Sequence, residues 1–169
     1  MGCVSCQKTK ALLTCGLCNE DVCKYCAIIL PEDGFSFLPV IPADLKHSIY
    51  CGTCYDKNVA EQWDQYQQTI EQAKNINVYL SNQGKETRLI KRTEDLFHVR
   101  DCKDHDETLL RLAFFAVKAG FNALVDVDLT SVKVRENNYQ TLSWSGVARP
   151  ANIHEKNVIK DRTFWKNPN

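Results

Sequence analysis

Eight of the nine cysteines fall into four Cys-x2-Cys pairs, Cys3/Cys6, Cys15/Cys18, Cys23/Cys26 and Cys51/Cys54, all within the first 54 residues. A pair at this spacing can place two thiolates on one tetrahedral metal ion, and two pairs complete a four-thiolate shell with no open position for a substrate water. The eight thiols therefore predict two closed Zn2+ sites per chain, with a structural rather than a catalytic role. Disulfides or an iron site are the competing uses of these cysteines. Zinc is favoured because paired cysteines in a chain whose N-terminus lacks a hydrophobic export segment are more commonly metal ligands.

Four pairs can be grouped two by two in three ways. Only four residues, Asn19 to Val22, separate Cys18 from Cys23. That gap strains two pairs onto one ion but suits a strand crossing from one site to the next. Spacing thus favours interleaving, with Cys3, Cys6, Cys23 and Cys26 in one site and Cys15, Cys18, Cys51 and Cys54 in the other. The sequential grouping stays open as the alternative. His47 could replace a missing thiolate, but eight thiolates already fill two sites, so it reads as a surface residue. The start Met1-Gly2-Cys3-Val4-Ser5-Cys6 departs from the N-myristoylation pattern, which wants Ser or Thr where Cys6 stands.

Two further constellations could carry chemistry. Cys102 and His105, among Asp101, Asp104 and Asp106, stand where a helix N-terminus would lower a thiol pKa. They could form a catalytic dyad or an exchangeable transition-metal site, but no oxyanion donor or third orienting group can be named, and the plainer reading is a helix-entry loop. Asp126 and Asp128, two apart on a strand, would share one face and could hold a cation; the plainer reading is a solvated strand face.

The elements that must position these residues follow from punctuation and periodicity. Between Tyr55 and about Asn75 there is no Gly or Pro, and Val59, Trp63, Tyr66, Ile70 and Ala73 form one helical seam. The seam is too narrow for a fully buried helix and suits packing on a neighbour or on a second subunit. Short strands are expected at Val78 to Leu80, Arg88 to Ile90 and Phe97 to Val99. A helix follows, capped by Asp104 with Glu107 and ended by Gly120. Val125, Val127 and Leu129 alternate in one phase and Val132 and Val134 in the other, which predicts a β-bulge near Thr130 and Ser131. Glu136-Asn137-Asn138 is a hairpin turn, and the strand Tyr139 to Ala148 returns from it.

The stretches Cys15-Gly-Leu-Cys18-Asn-Glu-Asp-Val-Cys23-Lys-Tyr-Cys26 and Tyr50-Cys51-Gly-Thr-Cys54-Tyr55 make the first 56 residues resemble FYVE-type cross-brace fingers, relatives of RING and PHD fingers. The resemblance implies a treble-clef-like module with two interleaved zinc sites, short hairpins and a helix after the last pair. It departs from phosphoinositide-binding members by lacking their basic Arg/Lys-His-His-Cys-Arg cluster and Trp-x-x-Asp motif, so phosphoinositide membrane binding is not expected. The RING histidine ligand is also missing. The apolar loop from Ile28 to Pro42 serves either as the module's own core or as a docking patch.

Leu109 to Leu129, with Trp144-Ser-Gly-Val-Ala148, resembles the YbjQ-like family of small bacterial domains, which carry a heavy-metal-binding label. That resemblance covers about residues 77 to 150 and implies an α+β fold assembling into a closed ring, commonly a pentamer. The organisation read from the chain is a double zinc finger at 1–56, a connecting helix at 57–76, an α+β domain at 77–150 and a polar tail at 151–169. With 21 basic and 21 acidic residues, nothing global points to nucleic acid. No apolar run reaches membrane-spanning length. The expectation is a cytoplasmic, non-enzymatic zinc-binding interaction or scaffold protein, a homo-oligomer with a protein partner. The alternatives are a metal-handling protein with an exchangeable ion in the C-terminal domain, and an enzyme using Cys102.

Overall fold

The computed structural model describes residues 2–8 and 10–154 of the chain. They form a mixed α+β structure in two compact units, Met1–Gln68 and Thr69–Asn169.

In the first unit, strands β1 (Leu13–Thr14) and β2 (Asp21–Val22) pair antiparallel, as do β3 (Ile28–Ile29) and β4 (Ile49–Tyr50). Strands of two residues cannot sustain themselves by burial. What the first pair packs around is a cluster of sulfur and aliphatic groups: Cys3, Cys15, Val22, Cys23 and Cys51 are buried, with Leu13, Leu17 and Ile49 against them. Helix α1 (Gly52–Asn58) begins inside the last cysteine pair, and α2 (Ala60–Lys74) follows after a break at Val59. The connecting helix is therefore two helices rather than one. The seam is real, since Val59, Tyr66 and Ala73 are all buried, and the division between the two units falls within α2.

The apolar loop between β3 and β4 supplies part of the core. Phe35 is buried and meets Trp63 and Tyr66 with ring centroids 5.2 and 5.1 Å away, and the Phe37 amide donates to the Tyr66 hydroxyl at 3.2 Å. Leu30 and Leu45 are buried too, whereas Ile29 and Val40 are exposed.

In the second unit, a four-stranded sheet has the order β5 (Asn77–Leu80), β7 (Ala123–Glu136), β8 (Tyr139–Ala151), β6 (Phe97–Cys102). β5 runs parallel to β7, and the remaining pairs are antiparallel. Helix α3 (His105–Lys118) links β6 to β7 and buries Leu112, Ala113, Phe114 and Ala116. Its start is capped as the sequence predicts, with the Asp104 carboxylate accepting from the Glu107 amide at 2.8 Å. Its end turns through Gly120 at φ 86°, a backbone conformation that glycine adopts without a Cβ penalty. α3 approaches the sheet closely at Gly146, where a Cβ would fall within 3 Å of Thr108, Leu112 and Leu129 side chains.

Three local expectations are corrected. Arg88 to Ile90 is a turn rather than a strand: the Ile90 amide donates to the Thr87 carbonyl at 3.0 Å, and Ile90 is buried beside Ala123, Val125, Ala151 and Ile153. The bulge lies between Val125 and Asp128, with Asp126 at φ 52°, and not near Thr130, because pairing is unbroken from Asp128↔Val147 to Glu136↔Tyr139. The phase slip misled because Val132 is 62% exposed, so the alternation beyond Leu129 does not mark a core face. Finally, β8 runs to Ala151, and Ile153 is held by reciprocal bonds with the Asn122 side chain at 2.8 and 3.0 Å. The folded part thus passes residue 150; the polar tail beyond residue 154 lies outside the described residues.

Candidate metal centres

The eight paired cysteines converge into two groups, Cys3, Cys6, Cys23, Cys26 and Cys15, Cys18, Cys51, Cys54, with the four sulfurs of each within 4.8 Å of one another. This is the interleaved grouping, not the sequential one. All nine cysteines are free thiols.

Both groups are built by the same local device. The Cys3 amide donates to the Lys8 carbonyl at 2.9 Å and the Gln7 amide to the Cys3 carbonyl at 2.7 Å; the Cys15 amide donates to Glu20 and the Asn19 amide to Cys15, both at 3.0 Å. Gln7 and Asn19 each occupy the left-handed region, at φ 58° and 57°, which closes the turn around the two sulfurs. Each tight turn then docks on its partner pair: the Val4 amide bonds the Asp21 carbonyl at 2.8 Å, and the Gly16 amide bonds the Ile49 carbonyl at 2.9 Å. The partner pairs carry the same backbone bond, from the residue four positions on to the carbonyl of the first cysteine. Cys26 and Ala27 donate back to the Cys23 carbonyl, while Tyr55 donates to the Cys51 carbonyl at the start of α1. All four pairs therefore share one turn bond, and Cys51–Cys54 continues into helix α1.

The donor set fits a tetrahedral ion. Zn–S bonds of about 2.3 Å place sulfurs about 3.8 Å apart along a tetrahedral edge, and Cys6 to Cys23 and Cys18 to Cys51 are 3.8 and 3.9 Å apart. Protonation behaviour agrees with that chemistry. Backbone amides of Cys23 and Cys6 draw the Cys3 thiol down to about 6. For Cys15, burial pulls upward but the amides of Cys18, Cys51 and Leu17 prevail, again giving about 6. In the same groups Cys26, through its contacts with Cys6 and Cys23, and Cys54, chiefly through burial, are pushed up to about 12. Four thiols this close do not all ionise unaided; a dication is what would let them. Zinc suits such a set, and the closed shells leave no position for substrate.

The other candidate residues are not assembled into sites. Cys102 is buried, its thiol faces the Arg100 carbonyl at 3.6 Å, and burial raises its pKa, so the expected helix-dipole activation is not realised. His105 instead lies edge-on to Trp144, at 5.6 Å, and pairs with Asp106 at 3.1 Å. Asp126 and Asp128 are separated by the bulge. Asp126 takes Arg92 in a two-pronged contact at 3.1 and 3.2 Å, while Asp128 accepts from the Ser81 hydroxyl. His47 is exposed, edge-on to Tyr50, and belongs to neither sulfur group. Among the described residues no helix is long and apolar enough to cross a membrane. No family model, no curated protein and no solved structure matches this chain.

Proposed function

We propose that the chain is a non-enzymatic interaction protein in which a FYVE-like double zinc finger is carried on a YbjQ-like α+β domain that assembles into a ring. The observation that carries the zinc half is the pair of interleaved four-thiol groups, built from turns that share the same backbone bond. Closed four-thiolate shells supply folding energy rather than a reactive water. The binding half follows from what the zinc would stabilise: a small module with short strands and exposed large side chains such as Leu12 and Tyr25 that could meet a partner. Support for assembly comes from the β7–β8 ribbon. β5 pairs with β7 only as far as Val127, and β6 pairs with β8 only between Trp144 and Ala148. The outer edges beyond are uncovered among the described residues, and Val132, Tyr139 and Leu142 are exposed on them. Such edges are pairing surfaces unless another chain covers them, and a ring would display several fingers whose weak contacts add through avidity.

The test is metal content by native mass spectrometry of the purified protein. Two zinc ions per subunit, in an oligomer, meet the proposal. One ion, iron, or a metal-free folded chain overturns it.

A further inference from the structure

One face of the finger is cationic and apolar together. Gln7, Lys8, Lys10, Leu12, Lys24 and Tyr25 line a groove beside Cys23. It forms because the tight knuckle ending at Lys8 and the turn from Cys23 to Ala27 are tied to the same sulfur group. Leu12 is 92% exposed and Tyr25 84%, an unusual placement for two large side chains in a module with so little core. No acidic side chain is among the lining residues described, and none of the three lysines has an ion-pair partner among the described residues. Lys24 lies over the Tyr25 ring at 4.9 Å.

We propose that this groove binds an acidic peptide segment bearing an apolar residue, the lysines meeting its carboxylates and Leu12 and Tyr25 its side chain. This rests on the reading of the module as an interaction domain and names its partner's chemistry. A four-thiolate zinc site carries two net negative charges, so three lysines still leave the rim cationic. A membrane is disfavoured by number: about 1 kcal/mol per lysine near an anionic surface amounts to little with one leucine and one tyrosine behind it. The apolar walls give a peptide what a flat lipid surface does not need, a concave place for one side chain.

The experiment is fluorescence anisotropy of a labelled peptide of glutamates around a single leucine, titrated with the full-length protein, with zinc content read in the same samples. Parallel titrations use the same peptide with glutamines, phosphatidylserine vesicles and single-stranded DNA. Binding of the acidic peptide alone is expected, weakening as salt is raised. Combined Lys8→Glu, Lys10→Glu and Lys24→Glu should weaken it by at least about tenfold, and Leu12→Ala by a smaller factor, at unchanged zinc. Should the charge reversals disturb the metal, the three Lys→Gln substitutions are held to the same criterion. Failure to bind while zinc is retained, indifference to the lysine variants, or tighter binding of vesicles or DNA would each overturn the inference and leave the zinc reading standing. Lysine-dependent peptide binding by a protein found without zinc would do the reverse.

Discussion

Removing one thiol from either group leaves three donors around a position built for four, and the loss should stay with that group. Cys23→Ser is expected to lower zinc from two ions per chain to one, and Cys51→Ser to do the same at the other group. Because metal binding in such modules supplies on the order of 10 kcal/mol of folding free energy, each should also lower the melting temperature of the first unit, held then by one ion, while that of the second is unchanged. Elemental analysis with differential scanning calorimetry checks both halves. The pH dependence has a definite sign. Cys3 and Cys15 have folded-state pKa values lowered to about 6 from 9.0, so they favour the folded module at higher pH, and that contribution is lost as pH falls through about 6. Protons compete with the metal for the thiolates, so metal release to a chromogenic chelator should rise on acidification; release that rises on alkalinisation instead would refute it.

The elements of the second unit are held by two features with little trace in hydrophobic pattern. Arg92 joins the turn after β5 to the bulge of β7: besides Asp126 it donates to the Ile90 carbonyl at 2.9 Å, the Thr87 hydroxyl at 2.7 Å and the Thr87 carbonyl. Arg92→Ala leaves several half-buried acceptors short of donors, each costing about 1–3 kcal/mol, and should lower the second unit's melting temperature without touching zinc content. Gly146 lets α3 rest on the sheet. Gly146→Val should overpack Thr108, Leu112 and Leu129 and destabilise the same unit by about 1–3 kcal/mol, read by the same calorimetry. In the first unit, Tyr66 belongs to the cluster with Phe35 and Trp63. Tyr66→Glu would bury a charge there, so a change in assembly by that variant would report on the finger's folding as much as on any seam between subunits.

At the scale of the whole molecule, the proposal requires the second unit to associate on its own. A fragment must run past residue 150, since Ala151 and Ile153 are buried in the small cluster with Ile90. Residues 69–154 are expected to be oligomeric by light scattering. Valine-to-lysine changes at Val132 and Val134, on the uncovered ribbon, should weaken that assembly by placing charges on the edge. A stable monomer would remove the ring and the avidity argument with it, and would leave the metal chemistry of the finger untouched.

What the sequence determined by itself is local. Cysteine spacing forces thiols into pairs, a four-residue gap between Cys18 and Cys23 steers those pairs apart, and Asp104, Glu107 and Gly120 mark both ends of α3, because caps and knuckles depend on neighbours a few residues away. The Asn137 turn at φ 53° was legible for the same reason. Long-range choices were not. The bulge at Asp126 exists where Arg92 and Arg149 reach it, and Ile90 is a core residue of a turn because β7 and the segment after β8 come to meet it. Cys102 is buried, with its thiol pKa raised, because α3 and β8 close around β6, which no residue near it announces. The lysine groove is likewise tertiary. Lys8 and Lys24 are far apart in the chain and come to one face only because Cys3, Cys6, Cys23 and Cys26 gather around one point.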